Sequence, residues 1–139
     1  METFNTSLPL RIDWSELDLF GHVNNVAYFK YMQASRVNYW DSIGLSQLFS
    51  DSKLGPMLAS TECQFKKPLF YPGEINVLTR VDFIKNSSFG LTHAIVDQHG
   101  EVAAIGKDIV VYYDYNNHHK LTIPDYIREK IYQREQRSF

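Results

Sequence analysis

The chain has 139 residues, of which 44% are hydrophobic, 14% aromatic and 22% charged, and its formal net charge is −2. This length suffices for the core of one domain spanning 1–139, and the scattered charge does not predict binding to nucleic acid or to a membrane surface. We expect a cytoplasmic protein, because the sequence has one cysteine and shows no signal-peptide pattern. It also has no apolar run near the ~18 residues that a membrane span needs.

The first third of the chain predicts one strand and one long helix. Apolar residues alternate with polar ones from Leu8 to Trp14, which predicts a strand over 8–17. The period then changes to that of a helix from about Asn25 to Ser42, closed by Gly44. One wide, mainly apolar face of this helix carries Tyr28, Tyr31, Met32, Ser35, Tyr39 and Ile43. Residues 45–56 predict a loop that can include a short helical turn.

The rest of the chain predicts consecutive strands. Alternating segments separated by turn residues predict strands over 57–67, 74–85, 89–97 and 101–114. The start signal Thr122-x-Pro124-Asp125 predicts a short helix over about 123–135. Strands joined by short turns, with one long helix before them, predict an α+β fold in which the helix lies on one face of an antiparallel sheet.

Asp18 to Tyr28, between the first strand and the long helix, is the best candidate for a functional site. An asparagine at the helix start can cap the helix, and the remaining N–H groups and the helix dipole attract negative charge. A carboxylate on a loop hinged at Gly21 then faces a place suited to a reaction that develops an oxyanion. The alternative interpretation is purely structural, with asparagines that only cap and His22 as a loop residue.

The pattern Asp-x-x-Gly-His-Val-Asn-Asn-x-x-Tyr resembles the hot-dog-fold acyl-CoA thioesterases of the 4-hydroxybenzoyl-CoA thioesterase superfamily. Its His-Val-Asn-Asn part is also similar to plant acyl-acyl-carrier-protein thioesterases, and the likeness covers about 8–115. The resemblance implies a hot-dog fold, with an antiparallel sheet wrapped around one long central helix. It further implies hydrolysis of an acyl-CoA or acyl-carrier-protein thioester without metal or cofactor, in a homodimer or homotetramer.

The resemblance also implies roles for particular residues. Asp18 matches the catalytic carboxylate, acting as nucleophile or as general base, and the backbone N–H of Asn25 matches the donor to the thioester oxygen. The side chain of Asn25 is expected to cap the helix. His22 matches the histidine of the plant enzymes, but Phe20 replaces their intervening asparagine, so a structural role is an open alternative. The residues expected to bind substrate are Tyr28, Ser87 and Ser88.

Several other residues give weaker indications of function. Cys63 is interpreted as a small core residue, the doublet Lys66-Lys67 as a solvated strand end, and the remaining histidines show no metal-site spacing. Gln33 replaces the acid that reads the phenolic end of the substrate in the hydroxybenzoyl-CoA branch. Two other functions remain open: a hydratase or dehydratase acting on acyl thioesters, and a non-catalytic module that binds them.

Overall fold

The computed structural model describes residues 3–139. Within them, one antiparallel sheet has the strand order β1-β3-β4-β5-β2, and the short β6 pairs with β5. The elements in chain order are β1 (Thr6–Arg11), a 3₁₀ turn (Trp14–Glu16), α1 (Asn25–Ser42), α2 (Leu45–Ser52), β2 (Leu54–Phe65), β3 (Glu74–Ile84), β4 (Ser88–Asp97), β5 (Val102–Asp114), β6 (His119–Lys120) and α3 (Asp125–Glu135).

The long helix α1 packs against the inner face of the sheet, which confirms the expected hot-dog architecture. The predicted apolar face is buried from Tyr28 to Tyr39. Met32 lies so close to β5 that a Cβ at Gly106 would stand 2.3 Å from its methyl carbon, so only glycine permits this approach. On the same buried face, the hydroxyls of Ser35 and Thr79 join α1 to β3 by a hydrogen bond.

The first strand is shorter than the alternation predicts. Pairing with β3 ends at Arg11, and Trp14, expected on the buried face, is 69% exposed in the 3₁₀ turn. The Glu16 side chain causes this, because its Oε1 accepts the Asp13 N–H at 2.8 Å and closes a capping box. A side-chain contact three residues away therefore overrides the period-2 pattern.

Residues 45–56, predicted as a loop that can include a short helical turn, are more regular than predicted. The first part of this range is the helix α2, which Gly44 starts at φ 80° and Lys53 ends at φ 60°. Strand β2 begins at Leu54, so Gly55 and Pro56 lie inside it. A proline is tolerated there because β2 is at the edge of the sheet.

Strand β5 carries large apolar residues on its outer face. Ile105, Ile109, Val111 and Tyr113 alternate with the more deeply buried residues that face α1, which are Ala104, Gly106, Asp108, Val110 and Tyr112. Ala104, Gly106 and Asp108 are small or polar where α1 lies directly on the strand, as the contacts of Met32 and Arg36 show.

The inner face of the edge strand β2 extends beyond α1 and is only partly covered. Thr61, Cys63 and Phe65 pair with the inner-face residues Asp108, Gly106 and Ala104 of β5 and share their face. Thr61 and Phe65 are exposed, and Cys63 is half-buried at the margin of the core. This part of the inner face of β2 is therefore not covered by α1.

Candidate active site

The segment from Leu17 to Val23 is a tight loop held by its own backbone. The Asp18 N–H donates to the His22 carbonyl at 2.7 Å, and the Gly21 N–H donates to the Asp18 carbonyl at 3.2 Å. Gly21 has φ 82°, a conformation in which glycine is favoured. Val23 is anchored to the Leu69 carbonyl at 2.9 Å, which places the loop against the connection between β2 and β3.

This loop orients the carboxylate of Asp18. Its Oδ1 accepts hydrogen bonds from the backbone N–H groups of Phe20 at 2.8 Å and His22 at 3.0 Å. Its Oδ2 makes no hydrogen bond to any residue among 3–139, and the side chain is exposed. One oxygen is therefore fixed, and the other is available to a ligand.

The helix cap is Asn24, so the expectation that the Asn25 side chain caps the helix is wrong. The Asn24 Oδ1 accepts the Ala27 N–H at 2.9 Å, and its Nδ2 donates to the Glu16 carbonyl at 2.8 Å. Asn25 is the first helical residue. Its backbone N–H has no bond to another residue within 3–139, as is usual in a first turn, and is available as a donor.

Glu16, which the sequence patterns did not single out, ties the loop to the helix. Its buried carboxylate accepts hydrogen bonds from the Tyr31 hydroxyl at 2.7 Å and from the Lys30 ammonium at 2.9 Å. Burial alone would raise the pKa of Glu16, but the bonds from the Asp13 N–H, Tyr31 and Lys30 outweigh it and hold this pKa below its usual value. An ionised Glu16 thus braces the helix start that presents Asn25.

His22 contacts Asp18 through its backbone, whereas its ring lies elsewhere. The imidazole is half-buried and packs edge-to-face on Phe70, with ring centroids 5.2 Å apart. Neither ring nitrogen is hydrogen-bonded to a described residue. The ring therefore remains free to meet a ligand, but it does not form a hydrogen-bonded pair with the carboxylate.

Four of the six predicted site residues line one cavity of about 400 Å³: Asp18, His22, Asn25 and Tyr28. Tyr28 is buried, and its ring packs edge-to-face on Phe65 at 4.9 Å. Lys66 directly follows the end of β2 and is exposed, as expected of a solvated strand end, and it also lines this cavity. Lys67 also lines the cavity and is paired with Asp97 at 2.8 Å and with Glu101.

Ser87 and Ser88 lie at the other end of the sheet. Ser87 lies in the turn between β3 and β4, where its carbonyl accepts the Tyr112 N–H at 2.8 Å, and Ser88 is the first residue of β4. Strand β3 has 11 residues, and at about 3.3 Å per residue it separates this turn from the cavity by roughly 33 Å. Within one chain the two serines do not join the site, and their role in substrate binding stays a prediction.

The comparison with protein families identifies the group to which the chain is related. The model of the thioesterase-like superfamily matches residues 12–131, which include the whole loop and all of α1. The chain belongs to this superfamily.

Individual relatives agree with the fold and the family. A thioesterase from Thermus thermophilus, crystallised with coenzyme A and Zn, is 27% identical and superposes with a TM-score of 0.88, and the match covers 100% of both chains. A gentisyl-coenzyme A thioesterase is 26% identical, with a TM-score of 0.81 over 91% of this chain and 99% of that one. The uncharacterised protein YsmA of Bacillus subtilis is 25% identical over 78% of this chain and 73% of its own length.

Two searches of the described residues gave negative results. Within 3–139, no three His, Cys, Asp or Glu side chains are grouped so that they could hold a metal ion. No helix in the same range combines the length and apolar character of a membrane span.

Proposed function

We propose that the protein hydrolyses an acyl-CoA thioester to the free acid and the CoA thiol in the cavity beside Asp18. The observation that carries the proposal is that two complementary groups open onto one cavity. These groups are the carboxylate of Asp18, with its unbonded Oδ2, and the unpaired backbone N–H of Asn25. The first is a base or nucleophile, and the second is a donor for a developing oxyanion.

The helix N-terminus polarises the thioester. When its carbonyl oxygen accepts the Asn25 N–H, the negative charge that forms during attack lies on the axis of α1, where the dipole stabilises it. Because the backbone supplies this donor, the identity of the Asn25 side chain is not needed for it.

Asp18 acts by one of two routes. As a general base it takes a proton from water, the hydroxyl adds to the carbonyl carbon, and the C–S bond breaks as the thiolate leaves and is protonated. As a nucleophile it attacks the carbonyl itself, expels the thiolate and forms a mixed anhydride that water then hydrolyses. In the second route, attack of oxygen-18 water on the Asp18 carbonyl of the anhydride labels Asp18 and leaves the product unlabelled in a single turnover. The general-base route always labels the product, so a labelled Asp18 identifies the anhydride.

The deciding experiment is a panel of acyl-CoA substrates with a free-thiol readout, repeated with acyl-carrier-protein thioesters. Release of thiol by the wild-type protein, lost in Asp18→Asn, supports the proposal. Loss of an enoyl double bond without thiol release would instead indicate a hydratase, and binding without either change would indicate a non-catalytic module.

We also propose that the protein is at least a homodimer. The 12-residue edge strand β2 leaves unpaired backbone groups along its outer side and an exposed Leu58, and long exposed edges of this kind are usually covered. Ser87 and Ser88 lie far from the cavity of their own chain. They could therefore reach only the cavity of a second copy.

A further inference from the structure

Two lysines, Lys66 and Lys67, line the same cavity as Asp18, and neither pairs with its carboxylate. Within residues 3–139 no salt bridge reaches Asp18, and its Oδ2 has no hydrogen-bond partner. An ammonium and a carboxylate that share a small cavity attract each other. Their separation therefore needs a physical cause.

For Lys67 the cause is a pair of acids outside this cavity. Lys67 also lines a neighbouring cavity of about 220 Å³, which adjoins the first at Lys67 and Pro68 and is lined by Asp97 as well. The Lys67 ammonium lies 2.8 Å from Asp97 Oδ2 and is also paired with Glu101. Among the described residues that line the cavity of Asp18, neither acid is found. The charge of Lys67 is thus held at the turn between β4 and β5.

This turn prepares Asp97 to bind the ammonium. The Asp97 Oδ1 accepts the N–H groups of His99 and Glu101, each at 2.9 Å, and Oδ2 is left for Lys67. The Lys67 ammonium and these N–H groups lower the pKa of Asp97 to about 2. Because the Asp97 side chain is only 9% exposed, water screens this pair less than an ordinary surface salt bridge.

Lys66 is held differently and serves as a comparison. Its ammonium donates to Gln64 Oε1 at 3.4 Å, and Gln64 pairs with Ile105 on the outer face of the sheet. No acid among the described residues forms a salt bridge with Lys66. Of the two lysines that line the cavity, Lys67 is therefore the one whose position depends on carboxylates.

We propose that Asp97 and Glu101 are positioning residues that hold the Lys67 ammonium away from Asp18. Without them, Lys67 turns into the cavity and pairs with the free Oδ2 of Asp18. This pairing occupies the oxygen that attacks the thioester or takes a proton from water, and it weakens the carboxylate as a base. The inference rests on the proposed thioesterase function and adds two residues to it.

The test uses the double variant Asp97→Asn/Glu101→Gln, which replaces both acids by neutral groups of nearly the same size. The amide oxygen at position 97 can still accept the two N–H groups of the turn. On the best substrate of the panel, we expect kcat/KM to fall by about tenfold or more. Its acid limb should move to lower pH, since a nearby cation favours the ionised form of a carboxylate. Circular dichroism and thermal melting check the fold.

Removal of the released ammonium gives the matched comparison. When Lys67→Met is added to the double variant, kcat/KM and its acid limb should return to the values of Lys67→Met alone. Lys66→Met, added to the same double variant, should restore neither. A crystal structure of the double variant should show Lys67 Nζ within about 4 Å of the Asp18 carboxylate, the distance of an ion pair. This last measurement does not depend on activity.

Several results would overturn the inference. One is a folded double variant with the kcat/KM and pH profile of the wild-type protein. Another is a loss of activity that Lys67→Met does not relieve, because the acids would then only support the cavity wall. If the double variant does not fold, Asp97→Asn alone must show a smaller change in the same direction. If the wild-type protein releases thiol from no substrate of the panel, the proposed function fails, and the crystal structure alone decides the position of Lys67.

Discussion

The Oδ1 atom of Asp18 accepts the backbone N–H of His22 at 3.0 Å, so the acid of the motif is oriented by the histidine's main chain and not by its ring. The imidazole instead packs on Phe70. This relationship separates the two residues functionally, because a change of the His22 side chain leaves the bond to Asp18 in place. Variants of Asp18 and of His22 are therefore expected to differ in activity.

Asp18→Asn should lower kcat by at least ~10²-fold with little change in KM. The amide oxygen can still accept the Phe20 and His22 N–H groups, so the loop survives, but the basic or nucleophilic oxygen is lost. Steady-state kinetics with circular dichroism and thermal melting checks this, with Asp41→Asn, an exposed acid late in α1, as the control. A folded variant that keeps more than about a third of wild-type kcat would remove Asp18 from this role.

His22→Ala should lower activity by roughly tenfold, clearly less than Asp18→Asn does. The ring is free to assist a ligand but does not hold the carboxylate, and alanine preserves the backbone bond. The measurement is kcat/KM for both variants on one substrate. Equal inactivity of the two folded variants would show that the histidine is as essential as the acid.

Asn24→Ala should reduce the free energy of unfolding by about 1 kcal/mol or more, since it removes the helix cap. It also removes the donor to the Glu16 carbonyl. Asn25→Ala should change stability little and keep most of the activity, because only its backbone N–H is used. Urea unfolding and the thiol assay on both variants test the pair. A large loss of activity in folded Asn25→Ala would assign a role to its side chain.

Glu16→Gln should destabilise the protein by about 1–2 kcal/mol at neutral pH, because it weakens bonds to a charged acceptor. The folded pKa of Glu16 lies below the ordinary value of 4.5, so its stabilising contribution is complete above pH 4.5. That contribution is lost as the pH falls through the folded pKa. Urea unfolding of both proteins from pH 7 down to pH 3 should therefore show a difference that shrinks below pH 4.5. A difference that is constant or grows on acidification would contradict the assignment.

Sedimentation at micromolar concentration should show a species of at least twice the chain mass of 16.2 kDa. The exposed edge of β2 is the surface that we expect to be covered. A fully active protein that sediments only as a monomer would defeat this prediction.

Local patterns determined a large part of this molecule. The helix from Asn25 to Ser42 and its buried face follow from a period of 3.6 residues and from the glycine that ends it. The Asp18 loop follows from a glycine that tolerates positive φ beside helix-capping asparagines. Asp18, His22, Asn25 and Tyr28 fall within 11 residues of sequence, so their meeting at one cavity needed little long-range information.

Only the tertiary structure decided which groups complete the site. Whether Asn24 or Asn25 caps the helix depends on Glu16, whose carbonyl receives the Asn24 side chain. Phe65 and Lys66 reach the cavity because β2 pairs with β5 and ends beside the helix start. Away from this cavity, the contacts of Asp108 in β5 likewise join Arg36 of α1, Thr61 of β2 and His93 of β4. No sequence period encodes such contacts, since they arise from strand order and from the burial of polar groups that must find partners.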